Sequence, residues 1–451
     1  MENFKLTDYL SVHFIGIGGV SMSALAKYCL SQGYIVSGSD RTPSPETEEL
    51  KKLGATVFYG HSAKNVNGAG LAVYTSALSE DNPELVAAKK KGIPVIKRSF
   101  LLGSILKKYK KSIAVSGSHG KTTVTAMLTD IFVKNESDPA AFIGGDYPPV
   151  GNFRLGSGDV AVAEACEYKK NFLDIKPYAA VVLNIDDDHK DSFNGEADEI
   201  AAFSSFIGNS LAVINADDKN AAKLFNSATV NFGIDSPASY TARRLSEEKG
   251  FYSFDLYAFG KKRGEIKLKI RGKHNVYNAL AAFAAADIFG VPFATIKSSL
   301  EDFGGVKRRN EFLGKIRGAA CFADYAHHPS EISALLDSYK DERVTVVFQP
   351  HTYSRTKYLK EEFVKALSAA EKAVIYKTYP ARENYDEAGD GKRIYEGLRK
   401  EKGEDFAFYA DSPDSLFKEL YAITADSPDN VLLFVGAGDI YSVAKALCEK
   451  R

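Results

Sequence analysis

The residues Ser116 to Thr123 read SGSHGKTT and follow the apolar run SIAV. A glycine turn between a strand and a helix aims backbone N–H groups at a phosphate, and the helix N-terminus adds favourable potential for the anion. In such a loop Lys121 reaches the β- and γ-phosphates and the Thr122 hydroxyl holds Mg²⁺. The strict spacing needs a glycine five residues before Gly120, where Val115 stands, so this is a shorter variant; its bland counterpart is a glycine turn with an exposed lysine. Glu164 and Glu167 follow the strand VAVA, and His189 follows the run 184–188, NIDDD. Mg²⁺ takes few ligands and prefers oxygen, which pairs Glu164 with Thr122 as a metal site. His189 is a softer ligand for a second metal contact, while Asp186 to Asp188 also read as a solvated turn.

A second glycine turn, Gly16-Ile-Gly18-Gly19-Val-Ser21, lies between a strand and a helix, with Asp40 ending the next strand. It is a dinucleotide fingerprint with its third glycine replaced by Ser21. The turn suits NAD or the diphosphate of a nucleotide sugar, or tight strand–helix packing alone. Asp40 hydrogen-bonds a ribose or caps its turn. Further on, His274, Asn275 and Asn278 precede an Ala-rich helix, where the amides cap the helix or meet a base edge. Lys307-Arg308-Arg309 is a phosphate-seeking cluster or a solvated face.

In the last third, Asp324-Tyr325-Ala-His327-His328 and His351-Thr-Tyr353-Ser-Arg355 both follow strands. An arginine there captures a small carboxylate in bidentate fashion. Adjacent histidines on a strand face opposite sides, which disfavours zinc chelation. Gly436-Ala-Gly438-Asp439 is a close backbone approach or a tight turn. Six histidines, at 119, 189, 274, 327, 328 and 351, fall in polar turns, a distribution that predicts an extended active site.

These turns need strands and helices to hold them. VHFIGIGG, YIVSGSD and LAVYTSAL are short β-branched runs separated by helical stretches, the pattern of parallel α/β units. After the basic stretch KKYKK (107–111) come SIAV, VAVAEA, YAAVVLNI and LAVINADD. After the junction KRRNEFLG (307–314) come CFADYAHHP, VTVVFQPH, AVIYKTY and VLLFVGAGD. In open α/β sheets ligands collect at the carboxyl ends of strands, where almost every motif above sits.

With 451 residues the chain spans several domains. Apolar residues at 45% and charged residues at 26% exclude a disordered or fibrous chain. Lys+Arg and Asp+Glu both total 58, so the basic excess of a nucleic-acid-binding protein is missing. Cys29, Cys166, Cys321 and Cys448 lie far apart, which fits neither a zinc ribbon nor a disulfide framework. MENFKLTDYL has no apolar core and is not expected to be a signal peptide. The apolar stretch 279–296 contains Asp287 and is broken by Gly290 and Pro292, so it predicts a buried helix and a turn, not a membrane span. A soluble, cytoplasmic protein is expected, with neither nucleic acid nor membrane as partner.

The ordered set HFIGIGG, SGSHGKTT, GNFRLGSG, EACEY, NIDDDH, GKHNVYNAL, KRRNEF, DYAHHP, FQPHTYSRT and GAGDI spans nearly the whole chain and is similar to the Mur ligases. The resemblance implies an α/β fold of three domains: a Rossmann-like UDP-sugar domain over 1–107, a P-loop ATPase domain over 108–312, and a Rossmann-like amino-acid-binding domain over 313–451. It implies UDP-N-acetylmuramate and L-alanine as substrates and ATP with Mg²⁺ as cofactors, in the synthesis of peptidoglycan precursors on which cell shape and division depend. The lactyl carboxylate would attack the γ-phosphate, and alanine would then displace phosphate from the acyl phosphate.

By the same resemblance, Gly16, Gly18, Gly19, Asp40, Asn152 and Arg154 bind the UDP-sugar. Gly117, Ser118, His119, Gly120, Lys121, Thr122, Thr123, His274, Asn275, Asn278, Arg309 and Asp324 bind ATP. Tyr325, His327, His351 and Arg355 receive the amino acid; Thr122, Glu164 and His189 hold metal; Lys121, His189 and Arg355 are catalytic. Ser21 stands where the family has glycine, Asn310 where it has an aromatic, and Ala323 where a second aspartate is common. The rival readings are a ligase that attaches a preformed wall peptide to the same sugar nucleotide, an NAD-dependent dehydrogenase, and a non-catalytic ATP-gated binding protein.

Overall fold

The computed structural model describes residues 4–186, 192–226, 229–426 and 430–449. The chain divides into two compact units, one of Met1–Arg244, Asp255–Ile266 and Tyr277–Phe303, the other of Leu245–Phe254, Lys267–Val276 and Gly304–Arg451.

The first unit begins with strands β1 (Ser11–Ile15), β2 (Ile35–Asp40), β3 (Thr56–Tyr59), β4 (Leu71–Tyr74) and β5 (Val95–Lys97), in the order β3-β2-β1-β4-β5. Every pairing is parallel. Helices α1 (Val20–Ser31), α2 (Pro45–Lys52), α3 (Pro83–Lys90) and α4 (Arg98–Leu106) alternate with these strands. Val12, Phe14 and Ile15 of β1 are fully buried, as expected of a parallel strand covered on both faces. The order of strands reverses between β1 and β4, and the carboxyl ends at such a switch point are where open α/β sheets take ligands. The Gly16–Gly19 turn lies at that place.

A ten-stranded sheet follows. Its strands are β6 (Lys111–Ser116), β7 (Ala140–Tyr147), β8 (Gly151–Arg154), β9 (Val160–Glu164), β10 (Ala179–Val182), β11 (Leu211–Asn215), β12 (Thr229–Gly233), β13 (Tyr240–Glu248), β14 (Phe251–Ala258) and β15 (Lys261–Arg271). The order is β15-β14-β13-β12-β11-β10-β6-β9-β7-β8. Central β6 pairs in parallel with β9 on one side and β10 on the other, again a switch point, and the second glycine loop leaves from its end. Helix α5 (Lys121–Lys134) starts directly after that loop, with α6 (Glu196–Ile207) further on.

The Ala-rich stretch forms α7 (His274–Ile288), whose residues 279–286 are all fully buried. Gly290 turns the chain and α8 (Phe293–Asp302) begins after Pro292, so the expected buried helix and turn are found. Among the described residues no helix is long and apolar enough to cross a membrane.

The second unit holds β16 (Glu311–Ile316), β17 (Ala319–Asp324), β18 (Val344–Phe348), β19 (Lys372–Tyr376), β20 (Ala407–Ala410) and β21 (Val431–Val435), in the order β16-β17-β21-β18-β19-β20. Only β16 runs antiparallel to its neighbour among these pairs. Val346 and Phe348 pack into one apolar cluster and Val347 into another. This is the period-2 alternation of a strand buried on both faces.

Candidate active site

The P-loop variant is built as the sequence predicts: strand, glycine turn, helix. Gly120 has φ +87°, and a Cβ there would lie 2.5 Å from Asn278 Oδ1, so glycine is required both by conformation and by the close approach of α7. The strand β10 is followed by Asn184, which clamps the loop. Its Oδ1 accepts from His119 N at 2.7 Å, its Nδ2 donates to His119 O at 3.1 Å, and its backbone carbonyl accepts from Ser118 N at 3.2 Å. His119 Nε2 stands 3.1 Å from Asp186 Oδ2.

The Lys121 ammonium folds back over the loop, donating to Ser118 O at 3.0 Å and to Gly117 O, and pairs with Glu167 Oε1 at 2.9 Å. Burial alone would lower the Lys121 pKa, but the negative charges around it, Glu167 foremost and Glu164 among them, raise it above its ordinary value. Lys121 is therefore a fixed cation, held over the cradle by a carboxylate that a phosphate can replace.

Thr122 Oγ1 donates to Glu164 Oε2 at 2.7 Å, and Gly144 N donates to the same oxygen at 3.1 Å. A Cβ on Gly144 would come within 2.1 Å of that oxygen, so glycine at this point of β7 makes room for the carboxylate. A hydroxyl and a carboxylate side by side at a P-loop helix start are the hard oxygen donors Mg²⁺ prefers, and these residues fit that ion. Among the described residues no three or more His, Cys, Asp and Glu side chains cluster as metal ligands. His189, expected as a second metal contact, lies outside the described residues, as do Asp187 and Asp188.

At the first glycine turn, Gly16 N and Ile17 N both donate to Ser39 O, at 2.8 and 2.9 Å. Asp40 Oδ2 accepts from Gly18 N at 2.8 Å and Oδ1 from Arg41 N at 2.7 Å. Asp40 thus braces the glycine turn in addition to ending β2. Beneath it lies a network that sequence reasoning did not reach. Glu84, fully buried on α3, accepts from Ser39 Oγ at 2.7 Å, from Asn65 Nδ2 at 2.8 Å and from Ser62 N at 3.1 Å. It also meets His13 Nε2 at 3.1 Å and His61 Nδ1 at 3.3 Å. Burial pushes its carboxyl up, yet the hydrogen bonds from His13, Ser39 and Asn65 outweigh this and bring it down to about 2.

Asn152 and Arg154 lie on β8. Asn152 is buried against α1: Nδ2 donates to Val20 O at 2.7 Å and Ser23 Oγ at 2.8 Å, and Oδ1 accepts from Lys27 at 2.9 Å. Arg154 donates to Pro139 O at 2.6 Å and pairs with Asp138 at 2.8 Å. Both side chains are therefore engaged in holding β8 to its neighbours.

Asn275 and Asn278 sit inside the first turns of α7, which starts at His274, so neither is its N-cap. Asn275 Nδ2 donates to Arg271 O at 2.6 Å. The capping alternative gives way because the helix begins earlier than the spacing suggested.

In the second unit, Asp324 ends β17 and its two oxygens each accept a backbone N–H at 2.8 Å, from Asn310 and Ala326. Burial pushes its carboxyl above its ordinary value, against the pull of Arg309. Tyr325 carries the Arg308 guanidinium at 4.8 Å and that of Arg309 at 5.0 Å from its ring centre. His327 lies 5.4 Å from the Tyr325 ring and 6.1 Å from that of His351, which stacks on Tyr379. Burial, with His327 and Arg355 beside it, brings His351 down to about 4, leaving a neutral imidazole near pH 7.

The His351 Nδ1 is buried without a hydrogen-bond partner, and no ion pair or hydrogen bond among the described residues engages the Arg355 guanidinium. An unpaired arginine beside an unpartnered imidazole has the chemistry to take a small carboxylate with a polar neighbour. His327 and His328 stand in the turn after β17 and not on the strand, so strand alternation does not govern them. His328 instead caps the helix Pro329–Asp337.

Sequence reasoning also passed over Gln349. At the end of β18, its Oε1 accepts from Ile440 N at 3.0 Å and its Nε2 donates to Asp439 at 2.6 Å, fixing the Gly436–Asp439 turn. The signal available for Glu167 was its spacing after Glu164. For Glu84 and Gln349 no local spacing marks them, because their partners are distant in sequence.

Three family models match the chain in order: "Mur ligase family, catalytic domain" over residues 11–110, "Mur ligase middle domain" over 115–286 and "Mur ligase, glutamate ligase domain" over 308–438. A UDP-N-acetylmuramate–L-alanine ligase of Acetivibrio thermocellus is 42% identical over 467 aligned residues, covering 100% of this chain and 99% of the relative. That of Clostridium acetobutylicum is 39% identical, covering 99% and 100%. The crystal structure of a UDP-N-acetylmuramate-alanine ligase from Thermotoga maritima superposes with a TM-score of 0.85 at 33% identity, over 98% of each chain. A murein peptide ligase from Psychrobacter arcticus, 21% identical, shares the fold at a TM-score of 0.72 over 98% of this chain and 99% of that one. With relatives of this identity aligned along its whole length, the chain belongs to the Mur ligase family.

Proposed function

We propose that the protein is an ATP-dependent ligase that joins L-alanine to the lactyl carboxylate of UDP-N-acetylmuramate, in the cytoplasmic synthesis of peptidoglycan precursors. The observation that carries the reading is the 42% identity with a UDP-N-acetylmuramate–L-alanine ligase across the entire chain. At the P-loop, Lys121 paired with Glu167 and Thr122 paired with Glu164 support the reading.

A carboxylate does not react with an amine at neutral pH, so it must be activated. The lactyl carboxylate oxygen attacks the γ-phosphorus of ATP, the bond to the β-phosphate oxygen breaks, and ADP leaves. Two anions must approach for this, and Lys121 offsets their charge at the β- and γ-phosphates. Mg²⁺ bound by Thr122 and Glu164 would supply further neutralisation of the phosphate oxygens. The alanine nitrogen then attacks the acyl carbon, loses a proton, and inorganic phosphate departs.

We assign Gly16, Gly18, Gly19, Asp40, Asn152 and Arg154 to the UDP-sugar, with Asp40 and Asn152 acting through the turn and helix they hold. Residues 117–123 with His274, Asn275, Asn278, Arg309 and Asp324 take ATP. Tyr325, His327, His351 and Arg355 take alanine, whose carboxylate suits the unpaired Arg355. The domains of this reading are 1–107, 108–312 and 313–451.

Phosphate release from Mg-ATP with UDP-N-acetylmuramate, compared with L-alanine, with no amino acid and with a wall tripeptide, tests the reading. Release that requires both the sugar nucleotide and L-alanine is expected. Release that requires the tripeptide instead would move the protein to wall recycling. No release under any condition would overturn the ligase reading.

A further inference from the structure

Arg98 opens α4 at the carboxyl end of β5, on the ligand side of the first sheet. It is half-buried, yet its guanidinium makes no hydrogen bond or ion pair among the described residues. A guanidinium with no partner from the fold is available to pair with an anionic ligand. The position is held firmly. Ser99, the next residue, donates to Asp174 at 2.6 Å, and Gly103 packs so closely on residue 174 that a Cβ would come within 2.2 Å of its carbonyl oxygen.

Arg98 lines a narrow cleft with Ser21 of α1, Leu102 of α4, Phe142 and Gly144 of β7, and Glu164 at the end of β9. The cleft has a volume of about 10 Å³ and lies between the start of α1 and Glu164, the carboxylate beside the P-loop. The charge of Arg98 is felt at Cys166, two residues beyond Glu164. Ser21, which stands where the family has glycine, also makes no side-chain hydrogen bond among the described residues. Two unpartnered polar groups thus face one cleft, and its far end is the place where the phosphate-binding loop and the metal carboxylate meet.

We propose that Arg98, assisted by the Ser21 hydroxyl, grips the carboxylate of the lactyl group and so sets the muramate sugar apart from sugar nucleotides that lack it. This rests on the UDP-sugar reading above. A planar guanidinium fits a carboxylate in bidentate fashion, and Arg98 shares its cleft with Glu164. Arg98 is on this account a substrate-binding residue that confers specificity.

Calorimetric binding of UDP-N-acetylmuramate and of UDP-N-acetylglucosamine, which has no lactyl carboxylate, to the full chain is the test. The native protein should bind the muramate nucleotide about tenfold more tightly. Arg98→Ala should bring both nucleotides to the same affinity, with that for UDP-N-acetylglucosamine unchanged, and Arg98→Lys should recover part of the preference. Equal weakening toward both nucleotides would place the arginine at the diphosphate and overturn the proposal, as would a preference that survives in Arg98→Ala. If Arg98→Ala does not fold, Arg98→Gln keeps the length and removes the charge, and the same outcomes apply. A native chain that binds neither nucleotide would overturn the UDP-sugar reading itself, a result distinct from any of these.

Discussion

The two glycine turns share a plan and differ in what holds them. Each leaves the carboxyl end of a central parallel strand at a switch point and opens a helix. The first is closed by an anion: Asp40 accepts from Gly18 N, and Ser39 ties the turn to Glu84. The second is topped by a cation: Lys121 lies over the loop carbonyls with Glu167 and Glu164 around it. A turn whose charges are satisfied from within the fold is suited to hold one ligand in place. A turn that pairs a lysine with one carboxylate and a hydroxyl with another is suited to receive a charged group that changes during a reaction. On the proposed function, binding and chemistry separate onto two copies of one local design.

The largest expected effect follows from that separation. Lys121→Ala removes the cation without touching the first turn, so phosphate release should fall by about 10³-fold, while calorimetry finds UDP-sugar affinity within twofold of native. Comparable loss of UDP-sugar binding would show that the two turns act as one site. The next effect lies beneath the first turn. Glu84 in the folded chain titrates at about 2, against about 4.3 in an unfolded chain. A depressed carboxyl stabilises the fold above the unfolded value and loses that contribution as pH falls through the folded one. The shift corresponds to about 3 kcal/mol at neutral pH. Denaturant unfolding of Glu84→Gln should lie about that far below native at pH 7, with the gap closing as pH falls from 5 toward 2. A gap independent of pH would show that Glu84 acts by packing alone.

What was legible in sequence follows the same division. Strand–turn–helix motifs are local, so the phosphate loop, the pairing of Thr122 with Glu164 and the strands that end in Asp40 and Asp324 could be read from spacing. The charge partners could not. Glu84 draws on His13, Ser39, His61 and Asn65 from separate stretches of chain, and only the folded sheet brings them together. The spacing of Asn275 and Asn278 before an apolar helix suits either caps or base contacts, but α7 begins at His274 and leaves both inside it. Arg98 carried no motif at all. Its interest lies in the lack of a partner, a property that exists only in three dimensions.

Two smaller effects sharpen the comparison at each turn. Gly144→Ala places a methyl within 2.1 Å of Glu164 Oε2, so the carboxylate must swing away from Thr122. The magnesium concentration for half-maximal rate should rise about tenfold, as for other groups that support a ligand from behind, and excess magnesium should restore the rate. A lower rate at saturating magnesium with the same half-saturation would mean that the damage is to the loop and not to the metal.

At the first turn, Asp40→Asn keeps the shape of the side chain and gives up its charge. The bond to Gly18 N weakens by about 1 kcal/mol, so the KM for the UDP-sugar should rise about fivefold, with kcat at saturation unchanged. The same variant separates two ways in which Asp40 can serve the nucleotide. If it only braces the turn, a 2′-deoxyuridine sugar nucleotide and the normal one should lose affinity by the same factor. If it also accepts from the ribose, the normal nucleotide should lose more, because the deoxy compound has no 2′-hydroxyl to give up. The geometry of Asp40 favours the brace, since Oδ2 already accepts from Gly18 N and Oδ1 from Arg41 N.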